Sequence, residues 1–112
     1  MGKPVVGEVV AILFPFSDLS GSKRRPALVV ATVPGNDVIL CQITSRARPD
    51  QLSVSIDEAS FEQGGLPVAS LVRCGKIFTA DATIVQKSMG HLKKPLTDQI
   101  VRTISSILGQ DL

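Results

Sequence analysis

Tryptophan and tyrosine are missing from this chain, and four phenylalanines supply all its aromatic area. A protein that grips nucleobases by stacking has little to use here beyond Phe14, Phe16, Phe61 and Phe78. Histidine occurs once, at position 91, and cysteine twice, as Cys41 and Cys74 inside apolar runs. Without C-x-x-C spacing or a second histidine there is no metal-ligand set, so neither a metal nor a cofactor is expected. The two thiols read as buried and reduced, which fits the cytoplasm. Pro4 and Glu8 interrupt the first apolar stretch, so no signal peptide is expected. No apolar run approaches the ~18 residues that span a bilayer, and no membrane role is expected.

What remains is a composition that folds. The chain has 112 residues, enough for one core and one domain over 1–112 without disulfides. Apolar residues make up 44%, many of them β-branched, which favours strands, and 20% charge is too little for a disordered chain. The net charge of +2 is weak evidence for nucleic acid, but its distribution says more. Cations cluster at Lys23-Arg24-Arg25, at Arg46 with Arg48, at Arg73 with Lys76, and at Lys93-Lys94.

Strands are expected over 5–13, 27–33, 38–44, 52–56 and 70–78, from apolar runs, strict alternation in LSVSI, and turn residues between them. Pro26 biases Arg25 to extended backbone, so the second strand effectively starts at that arginine. Gly75 marks a bulge in SLVRCGKIF. DEASFEQGGLP reads as turn-rich with one helical turn, and DATIVQKSMGHL as a turn of helix before an edge strand. Only PLTDQIVRTISSIL has a helical stripe, through Leu96, Ile100, Val101, Ile104, Ile107 and Leu108, with Pro95 in its first turn and Gly109 as its stop. Short strands and one terminal amphipathic helix give a mainly β fold: a small, strongly curved barrel with the helix packed against it.

GEVVAILFPFSDLSGSKRRPALVV resembles the N-terminal signature of the MazF/PemK toxins of type II toxin–antitoxin modules. LCQITS and LVRCGKIFTAD resemble two later segments of that family, more loosely. The resemblance runs from about Gly7 to about Leu108. It implies an SH3-like barrel, a homodimer, and metal-independent cleavage of single-stranded RNA (an mRNA interferase) at short sequences. It also implies an antitoxin partner that covers the active groove.

Carried over residue by residue, the resemblance assigns catalysis to Arg25, Thr44 and Arg73. An RNA substrate brings its own nucleophile, the 2′-hydroxyl, and asks the enzyme for geometry, proton transfer and cations around an anionic phosphorane. Arginine suits that charge, since its planar fork matches phosphate oxygens. Against this, Lys23-Arg24-Arg25 also reads as a solvated loop face, Thr44 as a turn cap, and Arg73 as an ion-paired or snorkelling side chain. Ser22, Lys23 and Arg24 are candidates for RNA contact, Arg46 and Arg48 for tracking the backbone, and Phe16 for stacking. PemK-like members carry an aspartate general base where this chain has Gly75, so that mechanism cannot operate unchanged; Asp18 is a possible substitute. His91 reads as a surface or interface residue, and Asp57-Glu58 as a turn. Two further readings stay open. One is a weak or inactive barrel that binds antitoxin or nucleic acid. The other is a gyrase poison, which the bland helix end LGQDL argues against.

Overall fold

The computed structural model describes residues 2–15, 22–46 and 48–110. Phe16 and Asp18 therefore lie outside the described residues.

Seven strands form one antiparallel sheet: β1 (Glu8–Pro15), β2 (Ser22–Thr32), β3 (Asp37–Thr44), β4 (Ser53–Ile56), β5 (Phe61–Gly64), β6 (Ser70–Asp81) and β7 (Val85–Leu92). A helix, α1 (Lys94–Leu108), closes the fold. The spatial order is β4-β6-β3-β2-β1-β7-β5. The sheet curls into a half-barrel because its ladders carry irregularities in β2, β6 and β7 that bend the strands. The largest lies in β6, where Cys41 faces Ile77 while Ile43 faces Val72. Residues 73–76 form that bulge, at the place Gly75 marks in the sequence.

Alternation sorts the sheet's faces. Val9, Leu28, Cys41, Ile43, Val72 and Leu92 turn to the concave side, where Ile100 and Ile104 of α1 cover them. Ile100 is fully buried, and such a side chain contributes about 1.5–3 kcal/mol by leaving water. Leu96, Val101 and Ile107 pack on the same core as predicted, but Leu108 is 70% exposed because the stripe has run past the sheet. On the other face a smaller core of Val10, Ile12, Ala27, Val29, Val38 and Leu40 is closed over by Phe78 and Ile84.

Two expectations need correction. The segment FEQG is strand β5, not part of a turn, and β7 is consequently an inner strand between β1 and β5 rather than an edge. The helical turn expected nearby is a single 3₁₀ turn at Glu58–Ser60. β2 also starts earlier than expected, pairing Ser22 with Pro15 and Lys23 with Phe14.

Candidate functional site

Along β2 and β3 the register sets Ala27 against Gln42 and Val29 against Leu40. The ladder ends at Ala27 and Gln42; two residues further along each strand, alternation puts Arg25 and Thr44 on the same face of the sheet. Arg25 is half-buried in the strand, across from Ile12 of β1, and Thr44 is half-buried at the end of β3. Both line a cleft of about 240 Å³ at this end of the sheet, together with exposed Arg24 and Arg46. Leu66, Pro67 and Val68 form its far wall. Three arginines and three hydroxyl residues, Thr44, Ser45 and Ser70, thus line one hollow, and none of its described lining residues is acidic.

The Thr44 hydroxyl has a local duty. Its Oγ1 accepts the Arg46 N–H at 3.2 Å, tightening the turn that leaves β3. That is the capping role its sequence position suggests. Accepting this bond leaves the hydroxyl proton available as a donor. Capping and phosphate binding are therefore compatible, and the cap fixes where the hydroxyl points.

Arg73 lies elsewhere. On β6 it faces Ser53 of β4, while its neighbour Leu71 faces both Thr44 and Ser55. Alternation gives Arg73 the same sheet face as Thr44, one row of side chains further along. It lines a separate hollow with Asp50, Leu52, Ser53, Gly75 and Lys76. There its guanidinium stands 4.0 Å from the Asp50 carboxylate. Asp50 is held below the ordinary carboxyl value, chiefly because the Leu52 N–H donates to it at 2.8 Å. Arg48 is exposed beyond β3 and does not line the arginine cleft. Ser22 and Lys23 belong to the first turn of β2's ladder with β1.

The cysteines are structural. Both are buried and free. The Cys41 thiol donates to the Arg73 carbonyl at 2.8 Å, tying β3 to the bulge. Burial, and then Cys74 nearby, push its pKa up to about 12, so it is no nucleophile at neutral pH. The His91 ring lies against Gly7, where an added Cβ would come within 2.6 Å of a ring carbon, and its Nδ1 is 2.8 Å from the Leu92 carbonyl oxygen. It is a packing residue of β7, remote in sequence from the arginines. Asp57 caps the 3₁₀ turn, accepting the Ala59 N–H at 2.9 Å.

A family model described as PemK-like, MazF-like toxin of type II toxin–antitoxin system matches residues 6–108. The chain belongs to this family. Solved structures share its fold from end to end. MazE-MazF from Deinococcus radiodurans aligns with a TM-score of 0.75 and 21% identity, over 98% of this chain and 100% of that one. An endoribonuclease in complex with its cognate antitoxin from a mycobacterial species aligns at 0.71 and 19%, over 97% and 98%. The Mycobacterium tuberculosis toxin MazF-mt6 aligns at 0.67 and 19%, over 92% and 99%. Comparison with curated proteins gives no match. At these identities the likeness is one of fold, a mainly β half-barrel with one C-terminal helix.

In this PemK/MazF-type chain the sequence pointed to Arg25, Thr44, Arg24 and Arg46, which the structure brings together. It did not point to the 66–68 wall or to Ser70 and Met89 beside it. The available signal was Leu-Pro-Val in a turn-rich segment, with Val68 58% exposed. Apolar residues left in water beside cations mark a surface that expects company.

Proposed function

We propose that this PemK/MazF-type toxin is a sequence-specific endoribonuclease that cleaves single-stranded RNA without a metal, and that the arginine cleft is its active site. The observation that carries the reading is the shared cleft of Arg25, Thr44, Arg24 and Arg46. The 2′-oxygen gives its proton to solvent water and attacks the adjacent phosphorus in line, the P–O5′ bond breaks, the leaving 5′-oxygen takes a proton from water, and a 2′,3′-cyclic phosphate and a 5′-hydroxyl result. Arg25 forks onto the non-bridging oxygens as the phosphorane gains charge. Thr44 donates its hydroxyl proton to one of them. Arg24 and Arg46 hold neighbouring phosphates. With no acid or imidazole among the described lining residues, the cleft works by charge and geometry: stabilising the dianion also eases loss of the 2′-proton. Among the described residues no three His, Cys, Asp or Glu side chains gather as metal ligands.

Arg73 is assigned a supporting role, one row away, on RNA that extends past the cut. The protein acts as a homodimer in the cytoplasm and is restrained by a cognate antitoxin. Support comes from relatives crystallised as MazE-MazF or with a cognate antitoxin.

The test is incubation with mixed-sequence RNA in EDTA. Chelator-resistant fragments with 2′,3′-cyclic ends are expected. Arg25→Ala should cut about 10²–10³-fold more slowly, as when one transition-state donor is lost, while melting at the same temperature. A variant that cuts like wild type removes Arg25 from the mechanism. An inactive, RNA- or antitoxin-binding barrel is the second reading, favoured by Gly75 in place of the family aspartate. It predicts no cleavage at high enzyme excess. Growth arrest without cleavage would instead favour a protein target such as gyrase.

A further inference from the structure

The sheet face that carries Arg25 and Thr44 continues beyond them. Thr44 faces Leu71 on β6, and Leu71 faces Ser55 on β4. Thr44, Leu71 and Ser55 thus form one line across three strands, spaced about 4.8 Å from strand to strand, with Arg25 on the same face of the neighbouring β2. Beside this line opens a second cleft of about 240 Å³, which shares Thr44, Ser45 and Ser70 with the arginine cleft. The two hollows are one trough with Thr44 at its waist.

Their chemistry differs. None of the second cleft's lining residues is cationic. Pro49, Ala69 and Leu71 are among its apolar lining residues, and Ser45, Ser55 and Asp57 supply polar groups. A phosphate finds nothing there to neutralise it. A flat, uncharged ring finds apolar surface and acceptors for its N–H groups. Asp57 is locked for the purpose. Its Oδ1 accepts from Ala59 N at 2.9 Å and from Ser60 Oγ at 3.4 Å, and its own N–H donates to Ser60 Oγ at 3.0 Å. This reciprocal cap, in which the side chain also accepts from the Ser60 backbone N–H, fixes the rotamer.

We infer that this second cleft is a base subsite that selects guanine in the nucleotide adjoining the scissile phosphate, with Asp57 as the reading group. Guanine offers an N1–H and an N2 amino group side by side, which suits an acceptor-only carboxylate; adenine, cytosine and uracil present an acceptor beside each donor. The inference rests on the nuclease reading of the neighbouring cleft for its place beside the cut, but its binding claim is separate.

Two measurements test it. In the first, a randomised single-stranded RNA is digested and the ends are sequenced. Guanine should be enriched at one of the two positions flanking the cut. Asp57→Asn should lower that enrichment by about tenfold or more, because it exchanges an acceptor for a donor. Asparagine caps as well as aspartate does, so the melting temperature should hold. Unchanged base preference in Asp57→Asn, or no guanine preference at either flank, overturns the assignment. In the second, amide ¹H–¹⁵N spectra follow titration of the Arg25→Ala protein with each of the four nucleoside 5′-monophosphates. Guanosine 5′-monophosphate should shift the Ser55, Asp57 and Ser70 amides more than the other three, and Asp57→Asn should erase the difference. Equal shifts for all four, or none, overturn the subsite. Guanine-selective shifts in a protein that cuts no RNA would keep the subsite and sink the nuclease reading alone.

Discussion

The Asp50 carboxyl group accepts hydrogen bonds before it feels a charge. The Leu52 N–H is the first cause of its depression below the ordinary value, and the Arg73 guanidinium a smaller one. An exposed pair 4.0 Å apart is screened by water, so this order is physically sensible. Arg73→Ala should therefore leave the Asp50 titration below the ordinary carboxyl value, as followed by carboxyl ¹³C shifts against pH. A return to the ordinary value would mean the ion pair dominates. Asp81 behaves alike, since the Thr83 N–H donates to it at 2.9 Å. A carboxyl whose folded pKa is depressed adds stability above its unfolded pKa and loses it as pH falls through the folded one. Both groups thus make the fold weaken on acidification below about pH 4, and Asp50→Asn with Asp81→Asn should flatten that loss in thermal melts.

β5 and β7 meet through two glycines. A Cβ on Gly64 would stand 2.3 Å from the Met89 carbonyl oxygen, and one on Gly90 would stand 2.4 Å from that of Gln63. Gly90 also has φ +152, which disfavours a side chain. Gly90→Ala should cost about 1–3 kcal/mol in urea unfolding, by pushing β5 off its partner. Gly75→Ala is the control: its Cβ would make only an ordinary 3.6 Å contact with Leu52, so a change within about 0.5 kcal/mol is expected. The same contact explains what could not be seen in the sequence. FEQG is short, polar and ends in glycine, so every local signal says turn; it becomes a strand only because Gly64 and Gly90 let two distant backbones close. With β5 hidden, β7 looked like an edge. α1 was legible because its period is written in Leu96, Ile100 and Ile104. The meeting of Arg25 and Thr44 was half legible: Pro26 marked Arg25 as a strand start and the apolar run put Thr44 at a strand end, while their nearness needed the β2–β3 register. Asp57 was set aside as a turn residue, correctly as to its cap, because nothing local shows which hollow a turn will border.

At the scale of the whole molecule the net charge of +2 understates the local field at the arginine cleft. Arg24, Arg25 and Arg46 are concentrated at one end of the sheet. Three phosphate contacts on a single strand give a slope of about −2 for log K against log salt, and Arg46→Ala should lower its magnitude by about 0.7. Fluorescence anisotropy with non-cleavable 2′-O-methyl RNA measures both; an unchanged slope would take Arg46 off the backbone. The ends of the strand order carry a different consequence. The sheet's outermost members, β4 and β5, are four residues each, and β5 finishes on Gly64. A foreign peptide trying to extend the sheet finds only a stub of unpaired N–H and C=O groups on either flank. Stacking into fibrils is thereby discouraged even when the protein accumulates, and any assembly it does form must be built from surfaces rather than from added strands.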